Sequence, residues 1–166
     1  FVSVDHVVSR MNENVVIRFH DGTDIKTSYK YKTLSVLNEL SMFRIRTSLV
    51  PHDTLFSLKE IYVDEDIYNE LDNGDTLLTY ALYWDRQNDV IKHSTILNLN
   101  ELHSTYGNGV DVISTTITGF EGMSGTATVD LSGRLAGVIC AYDDSVGKEY
   151  HLKIGELDTL YEMFED

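Results

Sequence analysis

Short stretches rich in β-branched, aromatic and aliphatic residues dominate the chain, separated by Gly, Asn and Asp turn signals. Such stretches predict strands. They run over Phe1 to Val4, Val15 to Phe19 before the turn Asp21-Gly22-Thr23, Met42 to Val50, Thr54 to Leu58, Thr76 to Tyr83 and Val90 to Leu97. Further strands are predicted over Val110 to Thr118, Thr126 to Leu131, Arg134 to Tyr142 and Tyr150 to Ile154. Near the end, Leu157, Leu160, Tyr161 and Phe164 follow Gly155-Glu156 at i, i+3, i+4, i+7 spacing, which predicts a short amphipathic closing helix. Many short strands between turns imply an all-β antiparallel barrel or sandwich rather than βαβ units.

The acidic stretch 64–75 (DEDIYNELDNGD) contains few strand formers and ends in Asn73-Gly74-Asp75. It reads as a solvated loop with a helical turn, and divides the chain into β-rich halves, 1–68 and 69–166. No fixed-period repeat or low-complexity tract interrupts them.

At 166 residues the chain is about one ordinary domain or two very small ones. Its 42% hydrophobic and 24% charged residues suffice for a packed core. Thirteen Lys and Arg against 27 Asp and Glu leave a net charge of −14, which repels phosphate backbones and anionic lipid. Nucleic acid is therefore not an expected partner. A single cysteine, Cys140, and the absence of Asn-x-Ser/Thr sequons point to an intracellular setting. No apolar run approaches the roughly 18–20 residues of a membrane span. The apolar opening Phe1-Val2-Ser3-Val4 reads as the middle of a structured segment, as in a domain excised from a larger polyprotein.

The sharpest local chemistry is Gly122-Met123-Ser124-Gly125. Glycines around a serine allow a tight turn and bring substrate close to the hydroxyl and to neighbouring N–H groups. The same tetrapeptide also occurs in ordinary turns, and Thr126 stands where a hydrolase elbow would need glycine. A serine hydroxyl needs a base. Six histidines are available; His6 follows an apolar strand, where an imidazole could be held at a cleft, while His20, His93 and His103 lie in polar surroundings. Asp53 opens an alternating apolar stretch, where its carboxylate would serve either as an imidazole partner or as a turn residue. No His-x-x-x-His, cysteine pair or glycine-rich phosphate loop is present, and the acidic run 64–66 lacks calcium-loop spacing, so no metal or cofactor is expected.

The order His6, Asp53, Ser124 matches the order of the chymotrypsin-type triad, and the chain resembles chymotrypsin-fold serine peptidases at several points. Phe1 to Val8 resembles the strand ending at the catalytic histidine. Asp53-Thr54-Leu55-Phe56-Ser57-Leu58 resembles the strand headed by the triad acid, and Leu71 to Leu77 the entry into the second barrel. Gly122 to Gly125, with Val129 to Val138, resembles the nucleophile loop and its following hairpin; Tyr150 to Ile154 and the closing helix resemble the family's last elements. The resemblance implies two antiparallel β-barrels, the first incomplete, and a crevice for a polypeptide substrate. It also implies His6, Asp53 and Ser124 as catalytic residues, with the Gly122 and Ser124 N–H groups as the oxyanion hole.

Where digestive members carry an Asp before the nucleophile, Met123 stands here; Val7 replaces a frequent cysteine, and Thr126-Ala127 the usual small residue and proline. The lack of a cysteine framework is similar to the disulfide-free viral and bacterial-type branches. By position, Thr118, Glu121, Ile139, Cys140, Ala141, Glu149 and His151 would surround the primary specificity pocket. Glu149 and His151 also fit solvated strand positions. The reading is thus a serine endopeptidase acting through an acyl-enzyme, in one form processing its own viral precursor polyprotein. The alternatives are a catalytically inactive relative that binds peptide or protein in the same crevice, and an unrelated β-rich binding domain.

Overall fold

A computed structural model describes residues 1–9, 15–28, 30–35, 38–81, 90–103 and 109–164. The chain begins with β1 (Val2–Val4), the one-turn helix α1 (Asp5–Val8), β2 (Val15–Arg18), β3 (Asp24–Thr27), β4 (Lys30–Ser35) and β5 (Asn38–Arg44). A 3₁₀ turn (Thr47–Leu49), helix α2 (His52–Ser57) and a second 3₁₀ turn (Glu65–Asn69) lead into β6 (Thr76–Ala81). β7 (Val90–His103), β8 (Val110–Thr116), β9 (Ala127–Val129), β10 (Leu135–Asp143), β11 (Lys148–Leu152) and α3 (Leu157–Glu162) complete it.

β6 to β11 close into a six-stranded antiparallel barrel in the order β10-β11-β8-β7-β6-β9. Closure requires bent strands. The bends coincide with register shifts between Ile96 and Glu101 against β8, and between Ile139 and Ala141 against β11. The first half is more open: among the described residues β1, β5 and β4 form one sheet and β2 with β3 a hairpin. A second closed barrel is not formed by these strands.

Alternation along the strands gives the barrel two apolar faces. Ile67, Leu71, Leu77, Ile96, Ile113 and Ala136 cluster on one. On the other, Val112, Leu135, Val138, Tyr150 and Leu152 pack against Val4 of β1, Leu40 of β5 and Leu157 and Leu160 of α3. This second cluster joins the halves, since β1 and β5 have no other large buried apolar surface to cover.

The acidic stretch is better anchored than its composition implies. Ile67 and Leu71 are buried, and the Tyr68 hydroxyl donates to the Ala136 carbonyl (2.8 Å) and accepts from the Ile154 N–H (2.7 Å). Arg134 reaches back to it, contacting Asp64 (3.1 Å), Glu70 (2.8 Å) and Asp130 (2.8 Å).

One predicted strand is a helix. Thr54 to Leu58 lies largely within α2, preceded by Pro51 in an extended conformation. Its apolar residues have no sheet to face, and Phe56 is 74% exposed. Thr54 is the buried contact, donating to Asp21 Oδ2 (2.7 Å) on the β2–β3 turn.

Candidate functional site

β1 pairs with β5 through Val2↔Met42, Ser3↔Ser41 and Val4↔Leu40. The next residue on β5 is Glu39, and it lies opposite the point where the chain turns into α1. The turn carries His6 back over the end of β5, and α1 is closed by Ser9, whose N–H and hydroxyl both reach the Asp5 carbonyl (2.7 and 2.6 Å). Val8, fully buried, fixes its orientation. His6 Nδ1 thus lies 3.0 Å from Glu39 Oε1 and 3.2 Å from Oε2. Glu39 is 3% exposed. A buried carboxylate needs a donor, and a carboxylate on Nδ1 places the proton there, leaving Nε2 as the basic atom.

The partner of His6 is therefore Glu39, whereas the sequence pointed to Asp53. Asp53 occupies the first turn of α2 with a fully exposed side chain, and the ring of the neighbouring His52 lies 4.0 Å from its carboxylate. The cause is local: Thr54 binds the β2–β3 turn, which leaves the preceding residue facing solvent. Glu39 had a readable signal, an acid followed by Leu40-Ser41-Met42-Phe43, the same acid-headed alternating pattern sought at Asp53.

Ser124 sits in a turn before β9 and is half-buried. The loop is pinned at its end by a Gly125 N–H bond to the Ile139 carbonyl (2.8 Å), and by the Ile139 N–H to the Thr126 carbonyl (2.9 Å). Gly125 has φ of 92°. A Cβ there would also stand 2.5 Å from Ser3 Oγ, so glycine is required on both counts. That contact brings the serine loop against β1, three residues before His6.

Within the loop the Met123 N–H donates to the Phe120 carbonyl (3.2 Å) and the Thr126 N–H to the Met123 carbonyl (3.0 Å). Among the described residues, the intervening Gly122 and Ser124 N–H groups meet no acceptor, and Ser124 Oγ and His6 Nε2 have no hydrogen-bond partner. Two unpaired backbone donors thus flank Met123 beside the serine hydroxyl.

The residues expected around a specificity pocket separate. Ile139 packs with Met123 and Phe120 beside the loop. Cys140 faces the core joining the halves; its S–H donates to the Tyr150 carbonyl (3.4 Å), and burial pushes the thiol pKa up to about 12, so it is no nucleophile at neutral pH. Ala141 is half-buried across β11 from Tyr150. The Thr118 hydroxyl is buried without a partner. Glu149 and His151 are fully buried, unlike the solvated strand residues their polarity implies. His103, also expected to be exposed, is half-buried and packs at a tilt against Tyr150 (ring centroids 4.2 Å apart). No group of three metal-ligating side chains occurs among the described residues, and no described helix is long and apolar enough to cross a membrane.

No family profile matches the sequence, and no curated protein does. The fold is similar to that of the HtrA-type protease AlgW in complex with a decapeptide (TM-score 0.77, 16% identity), covering 99% of this chain and 48% of that one. A serine-to-alanine variant of AlgW with a tripeptide aligns at TM-score 0.73 and 15% identity, covering 97% of this chain and 50% of that one. The chain thus spans about half the length of these structures. The neighbours are chymotrypsin-fold serine proteases, and this chain shares their fold. They carry no support for a viral branch or for processing of a precursor polyprotein.

Proposed function

We propose that the chain is the catalytic portion of a serine endopeptidase that hydrolyses peptide bonds through Ser124, His6 and Glu39. The proposal retains His6 and Ser124 from the sequence reading and puts Glu39 in place of Asp53. The strands preceding β6 take the role of the first barrel, carrying His6 and Glu39, and the closed barrel carries Ser124. Ser124 Oγ attacks the scissile carbonyl carbon while His6 Nε2 takes its proton, and Glu39 holds the imidazole through Nδ1 and stabilises the imidazolium that forms. The Gly122 and Ser124 N–H groups receive the negative charge on the carbonyl oxygen. His6 then protonates the leaving amine, and a water molecule activated the same way releases the acyl-enzyme.

The observation that carries the reading is the convergence on β1: His6 bound to buried Glu39 at its end, and the Ser124 loop seated on Ser3 through Gly125. The peptides bound to the similar AlgW structures support a polypeptide substrate.

The competing reading is an inactive relative that binds peptide in the same crevice. Denatured casein as substrate and a fluorophosphonate probe separate them. The proposal predicts casein cleavage and labelling of the unaltered protein, both lost in Ser124→Ala; an unaltered protein that binds casein without cleaving it or taking the label supports the inactive relative.

A further inference from the structure

Glu149 and His151 alternate on β11 and so share a face. The ladders pair them with Thr115 and Ile113 of β8 and with Tyr142 and Ile139 of β10. Both are completely buried. Leaving a carboxylate uncompensated there costs several kcal/mol, so its partners show what the site is built for.

On one side the partners belong to the barrel. Thr115 Oγ1 donates to the Thr116 carbonyl (3.1 Å), which leaves a lone pair for His151 Nε2 at 3.0 Å and assigns the proton to that nitrogen. The same Nε2 lies 3.2 Å from Glu149 Oε1, although Oε1 makes no well-aligned hydrogen bond. His151 Nδ1 is 3.0 Å from Thr128 Oγ1, itself 3.1 Å from Thr79 Oγ1. His151, which lies against Glu149, is thus tied to strands β8, β9 and β6.

On the other side Glu149 reaches out of the barrel to one group: Oε2 accepts the Gly119 N–H at 2.6 Å. A Cβ on Gly119 would collide with Glu149 Oε2, so the contact in this form depends on glycine. Gly119 begins the loop that ends at Ser124. The loop therefore has two backbone anchors, Gly119 to Glu149 at its start and Gly125 to Ile139 at its end, with the unpaired Gly122 and Ser124 N–H groups between them. Met123, buried against Ile139 and Phe120, contributes packing but no charge.

We propose that Glu149, buried against His151, is the positioning residue that keeps the Gly122–Ser124 segment in its oxyanion-binding conformation. The inference rests on the serine-peptidase reading and adds a residue that touches neither substrate nor the reacting atoms. Charge-assisted hydrogen bonds are short and strong, and one aimed at a loop backbone fixes donors before charge develops on the substrate.

The test measures turnover of 4-nitrophenyl acetate, an activated ester that any acylating serine can attack, by the unaltered protein, Glu149→Gln, Gly119→Ala and the double variant, with urea midpoints alongside. Gly119→Ala breaks the contact from the loop side by pushing the Glu149 carboxylate off the loop while both Glu149 and His151 are retained, so the test survives if Glu149→Gln fails to fold. Each single variant should lose roughly tenfold to hundredfold in kcat, less than the 10²–10³ for deleting an oxyanion donor outright. KM should stay within about twofold, and the double variant should be no worse than the poorer single one. A role in stability alone would lower the urea midpoint and leave kcat of the folded fraction unchanged. Kinetics unaltered in Gly119→Ala, or losses that multiply in the double variant, overturn the proposal while fluorophosphonate labelling of the unaltered protein upholds the peptidase reading. An unaltered protein that takes no label overturns both.

Discussion

Replacing Glu39 by Gln is the most discriminating substitution the geometry offers. The amide is nearly isosteric with the carboxylate, so the packing of β5 against α1 should survive, while the two Glu39 oxygens that lie 3.0 and 3.2 Å from His6 Nδ1 become one oxygen and one NH₂ group. The amide can donate to Nδ1 and so trap the tautomer with its proton on Nε2, where it cannot accept from Ser124. It also removes the charge that stabilises the imidazolium, at a site only 3% exposed where water cannot substitute for it. The same exchange in a serine-protease triad lowers kcat about 10⁴-fold, and at 1.36 kcal/mol per decade that is about 5.4 kcal/mol of transition-state stabilisation. Asp53→Asn is the matched control: its side chain is fully exposed and makes no contact with His6, so it should change the rate less than twofold. The assay is the initial rate of casein cleavage together with the rate of fluorophosphonate labelling, with circular dichroism confirming the fold. If Glu39→Gln retained more than a tenth of the activity, or Asp53→Asn fell as far, the assignment of Glu39 would be wrong.

Three other outcomes follow from the same geometry. Gly125→Ala combines a φ of 92° with a Cβ 2.5 Å from Ser3 Oγ, so it should destabilise the protein by about 1–3 kcal/mol in urea titration and abolish labelling of Ser124. Leu160→Ala empties a fully buried position between α3 and the barrel and should cost about 2–5 kcal/mol, read as a lower urea midpoint. For Asp130, burial raises the carboxyl pKa, but the Arg134 N–H, the Arg134 guanidinium and the Ser132 N–H outweigh it and hold the group below its usual range. A depressed folded-state value contributes stability above the unfolded pKa and loses it as pH falls through the folded one. Urea midpoints should therefore drop below about pH 4, and Asp130→Asn should be less stable at pH 7 with a flatter acid limb; parallel curves would refute this.

The closed barrel was legible because its strands are short apolar runs bounded by turn residues: Val110 to Thr116 and Leu135 to Asp143 each bury consecutive residues, one set in each apolar cluster. The closing helix was legible from a period of 3.6, its stripe beginning at Leu157 and Leu160. The first half was harder. Lys30–Ser35 is a polar strand that alternation does not single out, and Asn38–Arg44 begins four residues before the apolar run that marks it. That displaced start left Glu39 outside the predicted strand, although the acid-headed pattern at 39–43 was there to be read. At 54–58 alternation misled, because period two in five residues fits a helical turn equally well, and Pro51 with the Thr54–Asp21 contact decided for the helix. The sequence singles out Ser124 and His6 by local signals, glycines around a serine and a strand running into an imidazole, and the proposed site keeps both. The burial of Glu149 and His151 was not readable, because their polarity matches a solvated strand and their hydrogen-bond partners, Thr115, Gly119 and Thr128, lie far from them in the chain.

The most direct measurement of the central claim is mass spectrometry of the fluorophosphonate-treated protein, digested and mapped, for the unaltered chain and for His6→Ala. A single adduct on the Ser124 peptide, formed far more slowly without His6, is the predicted result. An adduct elsewhere, or one on Ser124 that forms equally fast without the imidazole, would show that the two residues do not act together.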